Sequence, residues 1–272
     1  MQIAGIQKTT LVDYPGKIAA TIFLRGCNFR CGFCHNPEIV LPEHFTQIIP
    51  EEELFRFLES RLGKLDGVCI TGGEPLLWGD TASLISHIKA LGFAVKLDTN
   101  GSYPERLEQI IRDGDLDYIA MDIKATPEKY KSVANFQLPI LNNQIKSNNQ
   151  FTNKNQKKHV IPAPKEDRGK HPTGIQNHNS NGLIFDIQKS IELIMKSGID
   201  YEFRTTVAKP IHHPNDFLEI GKLVKGAKRF YIQNFVKSKQ IDSQSTFAPF
   251  DRSELMRAAS IMKTYLSDCI IR

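Results

Sequence analysis

The chain is 272 residues long, 40% of them hydrophobic, with a formal net charge of +5. That supplies the apolar material for one substantial core, and no apolar run approaches the ~20 residues of a membrane-spanning helix. The charge excess does not announce a nucleic-acid binder: between residues 137 and 182 seven Lys and Arg outnumber two acidic residues, which accounts for all of it, and the remainder offers no basic stripe to track phosphates.

Taken in order, Met1-Gln2-Ile3-Ala4-Gly5-Ile6-Gln7-Lys8 lacks the apolar centre of a signal peptide; with clustered, unpaired cysteines downstream, this points to the cytoplasm. The first strand-like run, residues 19–24, leads into Cys27, Cys31 and Cys34. Spaced C-x3-C-x2-C, these three thiols can be aimed at one point by a single turn but have no fourth cysteine beside them. Cys thiolates hold iron–sulfur clusters, and a four-iron cluster normally takes four. Three would leave one iron open to another ligand, which is what separates a catalytic metal site from a closed structural one. A structural zinc with His35 as fourth ligand is the plainer alternative, although zinc motifs usually draw two ligand pairs from separate segments. Cys69 and Cys269 stand alone, the first in an apolar strand-like run and the second at the end of a helical one. Five cysteines cannot all pair, so a disulfide framework is disfavoured.

A helix is expected from Glu51, Glu52 and Glu53 onward, with Leu54, Phe57, Leu58 and Leu62 on one face. Strand-like runs follow at 67–71, 93–98 and 117–123, separated by helical stretches of which 104–111 is short. Residues 141–182 are rich in Asn, Gln, Lys and His and lack apolar periodicity. Such a stretch cannot bury enough apolar surface to offset its ordering entropy, so it reads as a disordered insertion after the fourth strand. A partner-docking arm, or a metal-binding tract using His159, His171 and His178, is the alternative. Ile187, Ile191, Ile194 and Met195 mark a further helix, and strands are expected at 201–207 and 229–235. Leu255, Ala259, Met262 and Leu266 mark the last helix, with Asp251 and Glu254 spaced as a capping box.

Six strand–helix units in one chain argue for a parallel α/β sheet and a single domain over 1–272, interrupted only by the 141–182 segment. In parallel barrels chemistry sits after the strands' C-terminal ends. The motifs obey that rule: Cys27, Cys31 and Cys34 follow the first expected strand, Gly72-Gly73-Glu74-Pro75 the second, Asp98-Thr99-Asn100-Gly101 the third and Asp122-Ile123-Lys124 the fourth. Arg204 lies within the fifth, where it matters only if it points inward, and Gln233 lies near the end of the sixth.

C-x3-C-x2-C followed by Gly72-Gly73-Glu74-Pro75 resembles the radical S-adenosylmethionine enzymes. Lys8-Thr9-Thr10-Leu11-Val12-Asp13-Tyr14-Pro15-Gly16, Phe23-Leu24-Arg25-Gly26-Cys27 and Cys34-His35-Asn36-Pro37 resemble, more narrowly, the activating proteins of anaerobic ribonucleoside-triphosphate reductases, which are glycyl-radical-enzyme activases. The resemblance covers about residues 1–130 and 183–235. It implies a partial (β/α)6 barrel open on one side and one 4Fe-4S cluster on Cys27, Cys31 and Cys34. It also implies S-adenosyl-L-methionine chelating the fourth iron, and reductive cleavage of that cofactor to methionine and a 5′-deoxyadenosyl radical. The implied partners are a glycyl radical enzyme and a low-potential electron donor such as flavodoxin or ferredoxin; no membrane and no nucleic acid are implied. Activases with a ferredoxin-like insertion are excluded by the count of five cysteines.

Within that frame Gly72, Gly73, Glu74 and Pro75 are expected to offer a backbone edge to the methionyl ammonium, with the glycines supplying close approach and unusual φ. On its own the string would be an ordinary turn. Thr99 and Asn100 would lie near the cofactor's ribose, although Asn100-Gly101 alone reads as a turn. Lys124 and Arg204 would meet the cofactor's carboxylate, or else form salt bridges with Asp98 and Asp122. Phe29 and Phe33 either shield the cluster or are plain core aromatics. His35-Asn36-Pro37 reads as the turn closing the cluster loop, and Cys69 as buried packing. Asp98 and Asp122 end neighbouring strands and would repel. A monovalent cation, Na+ or K+, held by Asp98, Thr99 and Asp122 would relieve them, with neutralisation by Lys124 and Arg204 as the alternative. The functional readings are a glycyl-radical activase, a radical enzyme acting on a small molecule as 7-carboxy-7-deazaguanine synthase does, or a non-catalytic metal-binding module.

Overall fold

The computed structural model describes residues 1–45, 47–134, 180–237 and 247–272. Eight strands form one sheet in simple chain order: β1 (Ile3–Thr10), β2 (Ala19–Leu24), β3 (Gly67–Gly72), β4 (Ala94–Thr99), β5 (Tyr118–Asp122), β6 (Asp200–Val207), β7 (Phe230–Asn234) and β8 (Cys269–Ile271). From β2 to β8 every pairing is parallel, and β1 alone runs antiparallel, against β2. The six expected strands are β2 to β7, and β1 and β8 remain the two edges, so the curled sheet stays open.

Helices connect the parallel strands: α1 (Pro37–Val40) and α2 (Glu51–Glu59) before β3, α3 (Thr81–Ala90) before β4, α4 (Pro104–Asp113) before β5, and α5 (Pro127–Ala134) and α6 (Ser180–Lys196) before β6. α7 (Phe217–Leu223) precedes β7 and α8 (Arg252–Met262) precedes β8. The outward side chains of the strands, such as Ala20, Ile22 and Leu24 of β2 and Val68 and Ile70 of β3, are fully buried beneath these helices. Leu54 and Leu58 of α2 and Ile187, Ile191 and Ile194 of α6 meet them; each such side chain contributes about 1.5–3 kcal/mol by leaving water. Leu62 does not join this face: α2 ends at Glu59, and Leu62 is 49% exposed. The Asp251 carboxylate accepts from the Glu254 N–H and the Glu254 side chain accepts from the Asp251 N–H, the capping box that starts α8.

The period-2 alternation sends a second set of side chains into the barrel. On β4 and β5 these are Lys96, Asp98, Tyr118 and Asp122, and on β6 they are Glu202, Arg204 and Thr206. The lower end, at the strands' N-termini, is closed by Tyr14. Its ring is 2% exposed, lies 6.0 Å from that of Tyr118 and packs with Ala19 and Ala120. A Cβ at Gly67 would stand 3.0 Å from this ring and 2.7 Å from the Ala94 carbonyl oxygen, so glycine is required there. Asp13 accepts from the Thr21 hydroxyl at 2.6 Å and the Lys17 N–H donates to the Tyr14 carbonyl at 3.2 Å, so the Asp13-Tyr14-Pro15-Gly16 string is a turn that seats the plug.

Two more expectations change. Cys269 does not end a helix; it opens β8 and is buried. α6 begins at Ser180, inside the span 141–182, and Leu183 is already in the core; residues 141–179 lie outside the described residues. Deleting 141–179 and joining the ends by a short Gly/Ser linker should therefore leave the core intact. Loop-closure entropy changes by only ~0.6 kcal/mol per doubling of length, so the melting temperature should move by no more than about 3 °C. A larger loss in a thermal melt would show that the segment supports the core.

Candidate functional site

At the C-terminal ends of the parallel strands the barrel holds a cavity of about 390 Å³. Cys27, Cys31 and Cys34 line it from the β2–α1 loop, and Gly72 and Gly73 from the end of β3. Asp98, Thr99, Asn100, Asp122, Lys124 and Arg204 line it from β4, β5 and β6. Gln7 and Asp13 reach it from the N-terminal segment, and Gln233 from β7.

The cysteine loop is fixed by its backbone. The Gly26 N–H donates to the Ile39 carbonyl at 2.7 Å, Arg30 N–H to Ala134 at 2.7 Å, and Cys34 N–H to Cys31 at 3.0 Å. All three thiols are free. The Phe29 N–H points at the Cys27 sulfur at 3.3 Å and the Asn36 N–H at the Cys34 sulfur at 3.4 Å. Donors aimed at sulfur suit thiolates, and a metal-bound thiol is deprotonated outright. Left as a thiol, each group is penalised for ionising: burial raises all three pKa values, that of Cys31 to about 11. Among the described residues no three His, Cys, Asp or Glu side chains form a group that would hold a single metal ion. The three thiols line one shared cavity, where each would meet a separate iron of a cluster. This donor set fits a cluster.

The glycines of Gly72-Gly73-Glu74-Pro75 line the cavity and also do a job that was not expected. Gly72 has φ +125°, and a Cβ on it would sit 2.2 Å from the Leu24 carbonyl oxygen. A Cβ on Gly73 would sit 1.9 Å from the Gly26 carbonyl oxygen. The close approach is to the cysteine loop's own backbone, locked by Gly73 N–H to Leu24 at 2.9 Å and Glu74 N–H to Gly26 at 2.8 Å. Glu74 and Pro75 are not cavity residues. Glu74 is fully buried and accepts from the Leu76 N–H at 3.0 Å, the Thr99 hydroxyl at 2.8 Å and the Asn100 N–H at 2.6 Å. It ties the β3 end to the β4 end. Burial pushes its pKa up to about 7 against those three donors. Pro75 is buried in the 3-10 turn that follows.

Asp98 and Asp122 do not face each other unrelieved. Arg204 bridges them, with Nη2 2.9 Å from Asp98 and Nε on Asp122. Lys124 pairs with Asp122 at 2.8 Å and buried Lys96 pairs with Asp98. Burial alone would raise both carboxyls, but Arg204 first and the lysines second hold them below the usual carboxylate range. The monovalent cation expected between Asp98, Thr99 and Asp122 is therefore not required, since the repulsion that motivated it is met by side chains. The Thr99 hydroxyl is turned to Glu74 instead. Lys124 and Arg204 form the salt bridges and still line the cavity.

Phe29 and Phe33, at 2% and 3% exposure, both line the cavity and belong to the core. Phe33 packs edge-on against His212 and Phe247. His35 is exposed, stacks at 5.8 Å on Phe235 and belongs to the turn that closes the loop. Cys69 is fully buried but does not pack among apolar groups: its sulfur lies 3.7 Å from both Asp98 and Lys96. Asn28, Lys96 and Ser102 were not singled out from sequence. Lys96 carried a signal, two residues before Asp98 and so on the same inward face.

A family model described as the Radical SAM superfamily matches residues 21–146. A protein of Methanocaldococcus jannaschii named as a glycyl-radical enzyme activating enzyme is 30% identical, over 99% of this chain and 95% of its own length. The 7-carboxy-7-deazaguanine synthase of Methanopyrus kandleri is 32% identical over 41% of this chain and 51% of its own. In fold, the chain is similar to Streptococcus suis SuiB bound to precursor peptide SuiA, with a TM-score of 0.59 at 12% identity over 92% of this chain and 47% of that one.

Glu74 gives the site a pH signature. Its folded pKa, raised from 4.5 to about 7, means the folded state holds the proton more tightly than the unfolded chain. Its contribution is full below about pH 4.5 and is lost as the pH rises to about 7, on the order of 3 kcal/mol. His35 and His212, whose pKa values burial lowers, slope the other way in any variant. The comparison with Glu74→Gln isolates the carboxyl: between pH 5 and pH 8 denaturant unfolding should show the variant gaining stability relative to the unaltered protein. A pH-independent difference would contradict this.

Proposed function

We propose that this chain, which belongs to the radical S-adenosylmethionine superfamily, generates a glycyl radical on a partner enzyme, the anaerobic ribonucleoside-triphosphate reductase. The observation that supports an activase is the likeness to the Methanocaldococcus protein along 99% of the chain. The narrower choice of partner rests on Lys8 to Gly16 and Cys34-His35-Asn36-Pro37.

Cys27, Cys31 and Cys34 would hold the 4Fe-4S cluster. With S-adenosylmethionine bound beside it, the chemistry supplied is reductive C–S cleavage and a carbon-centred radical able to take hydrogen from a glycine Cα. Gly72 and Gly73 present their backbone to the cavity for an ammonium group, and Lys124 and Arg204 present positive charge for a carboxylate. Phe29 and Phe33 keep water from the buried side of the loop. No general base is needed for hydrogen-atom transfer, which agrees with His35 being an exposed turn residue. Gly32 is exposed and Cys31 and Cys34 are half-buried, so an electron from a flavodoxin or ferredoxin has a short way in. The open edge between β1 and β8 gives a peptide loop room to reach the cavity. The partial likeness to 7-carboxy-7-deazaguanine synthase supports, as the second reading, a small-molecule substrate.

Anaerobic co-incubation with the reductase, S-adenosylmethionine and a low-potential donor should give a glycyl radical signal by electron paramagnetic resonance. Single Ala replacements of Cys27, Cys31 or Cys34 should remove iron and signal together, while Cys269→Ala keeps both. Cofactor cleavage without radical transfer to the reductase or to any other glycyl radical enzyme would favour the small-molecule reading.

A further inference from the structure

Three polar side chains beside Cys27 form a closed ring that the function above does not use. Asn28, Asn100 and Ser102 are 9%, 4% and 7% exposed. The Asn28 amide donates to the Ser102 hydroxyl at 2.8 Å, and that hydroxyl donates to Asn100 Oδ1 at 2.6 Å. Asn100 Nδ2 completes the ring at 3.0 Å from Asn28 Oδ1, and the same nitrogen lies 3.8 Å from the Cys27 sulfur.

The orientation of Asn100 is fixed by a backbone donor. The Ser102 N–H meets the Asn100 side chain at 2.9 Å, and an N–H only donates, so the atom it meets is Oδ1. The amide nitrogen is then the atom turned to Cys27. It has two hydrogens, one for Asn28 and one for the sulfur. The Asn100 side chain thus bonds within this ring and to Cys27, while the residue also lines the cavity.

We propose that Asn100 is a positioning residue that donates its side-chain amide to the Cys27 sulfur and raises the reduction potential of the cluster, with Asn28 and Ser102 holding the amide in place. The proposal rests on the three-cysteine cluster and goes beyond it. A hydrogen bond to a ligating sulfur draws off negative charge, which favours the reduced cluster over the oxidised one. Cys27 is the site where such a bond counts most. It is 7% exposed, whereas Cys31 and Cys34 are partly open to water that competes for their sulfurs. Its other donor, the Phe29 N–H at 3.3 Å, belongs to the loop itself. The Asn100 donor comes from the end of β4, a separate element that Glu74 fastens through the Asn100 N–H at 2.6 Å.

The test is a potentiometric titration of the anaerobically reconstituted full chain. Dithionite supplies one electron per cluster, S-adenosylmethionine is absent, and reduction is read by electron paramagnetic resonance. Asn100→Leu should move the midpoint to a more negative potential. Ser102→Ala should move it the same way by less, since the amide remains but loses its clamp. An iron-loaded Asn100→Leu with the midpoint of the unaltered protein overturns the proposal; a purely structural role would lower iron content without shifting the loaded fraction. If Asn100→Leu takes up no iron, the Ser102→Ala midpoint decides alone, and an unchanged value overturns the proposal. An unaltered chain that binds no iron would instead sink the cluster reading itself.

Discussion

The site depends on one guanidinium. Arg204 projects from β6 into the barrel and binds Asp98 on β4 and Asp122 on β5 at once. Three strands thereby end in a single electrostatic knot at the floor of the cavity. Burying such charges is costly, and the cost is recovered only where geometry is good and every partner is satisfied. Here Lys96 and Lys124 supply the remaining pairs. Removing one member would leave a largely buried charge unpaired, which costs more than the pair contributes when whole. The cavity walls can therefore be polar without being loose, and the positive groups face the cavity from fixed positions.

A second constraint is steric. Gly72 and Gly73 let the β3 end touch the cysteine loop backbone to backbone, closer than any Cβ allows. Glu74 then reaches across to the β4 end. Loop, β3 and β4 thus form one piece, in which the position of the thiols is set by hydrogen bonds outside the loop. The Asn28, Asn100 and Ser102 ring is the innermost part of that piece.

Much of this was legible in the residues. The six parallel strands and the placement of the motifs at their C-terminal ends follow from apolar runs and turn residues. β1 was missed because Ile3-Ala4-Gly5-Ile6-Gln7-Lys8-Thr9-Thr10 has no clean period-2 alternation and ends in four polar residues, and among the described residues its only strand partner is β2. β8 was missed because three residues carry no periodicity. The direction of Arg204 was legible as an inward position, but its choice between a ligand and two carboxylates was not, since that depends on strand register. Glu74 shows the same limit. Next to two glycines it reads as part of a ligand-binding turn, and only the tertiary structure reveals that its carboxylate faces three donors from neighbouring backbone and Thr99.

Tyr14 makes the barrel a vessel with a stopper. With its ring wedged among Ala19, Tyr118 and Ala120, the lower end offers no way through, and traffic shares the upper mouth and the open edge between β1 and β8. Whatever sits deepest must arrive first and depart last. Under the proposed function a small cofactor at the bottom of the cavity would lie beneath the protein that covers the opening, so it would have to arrive before that protein, and its spent fragments would leave only after the larger molecule lets go.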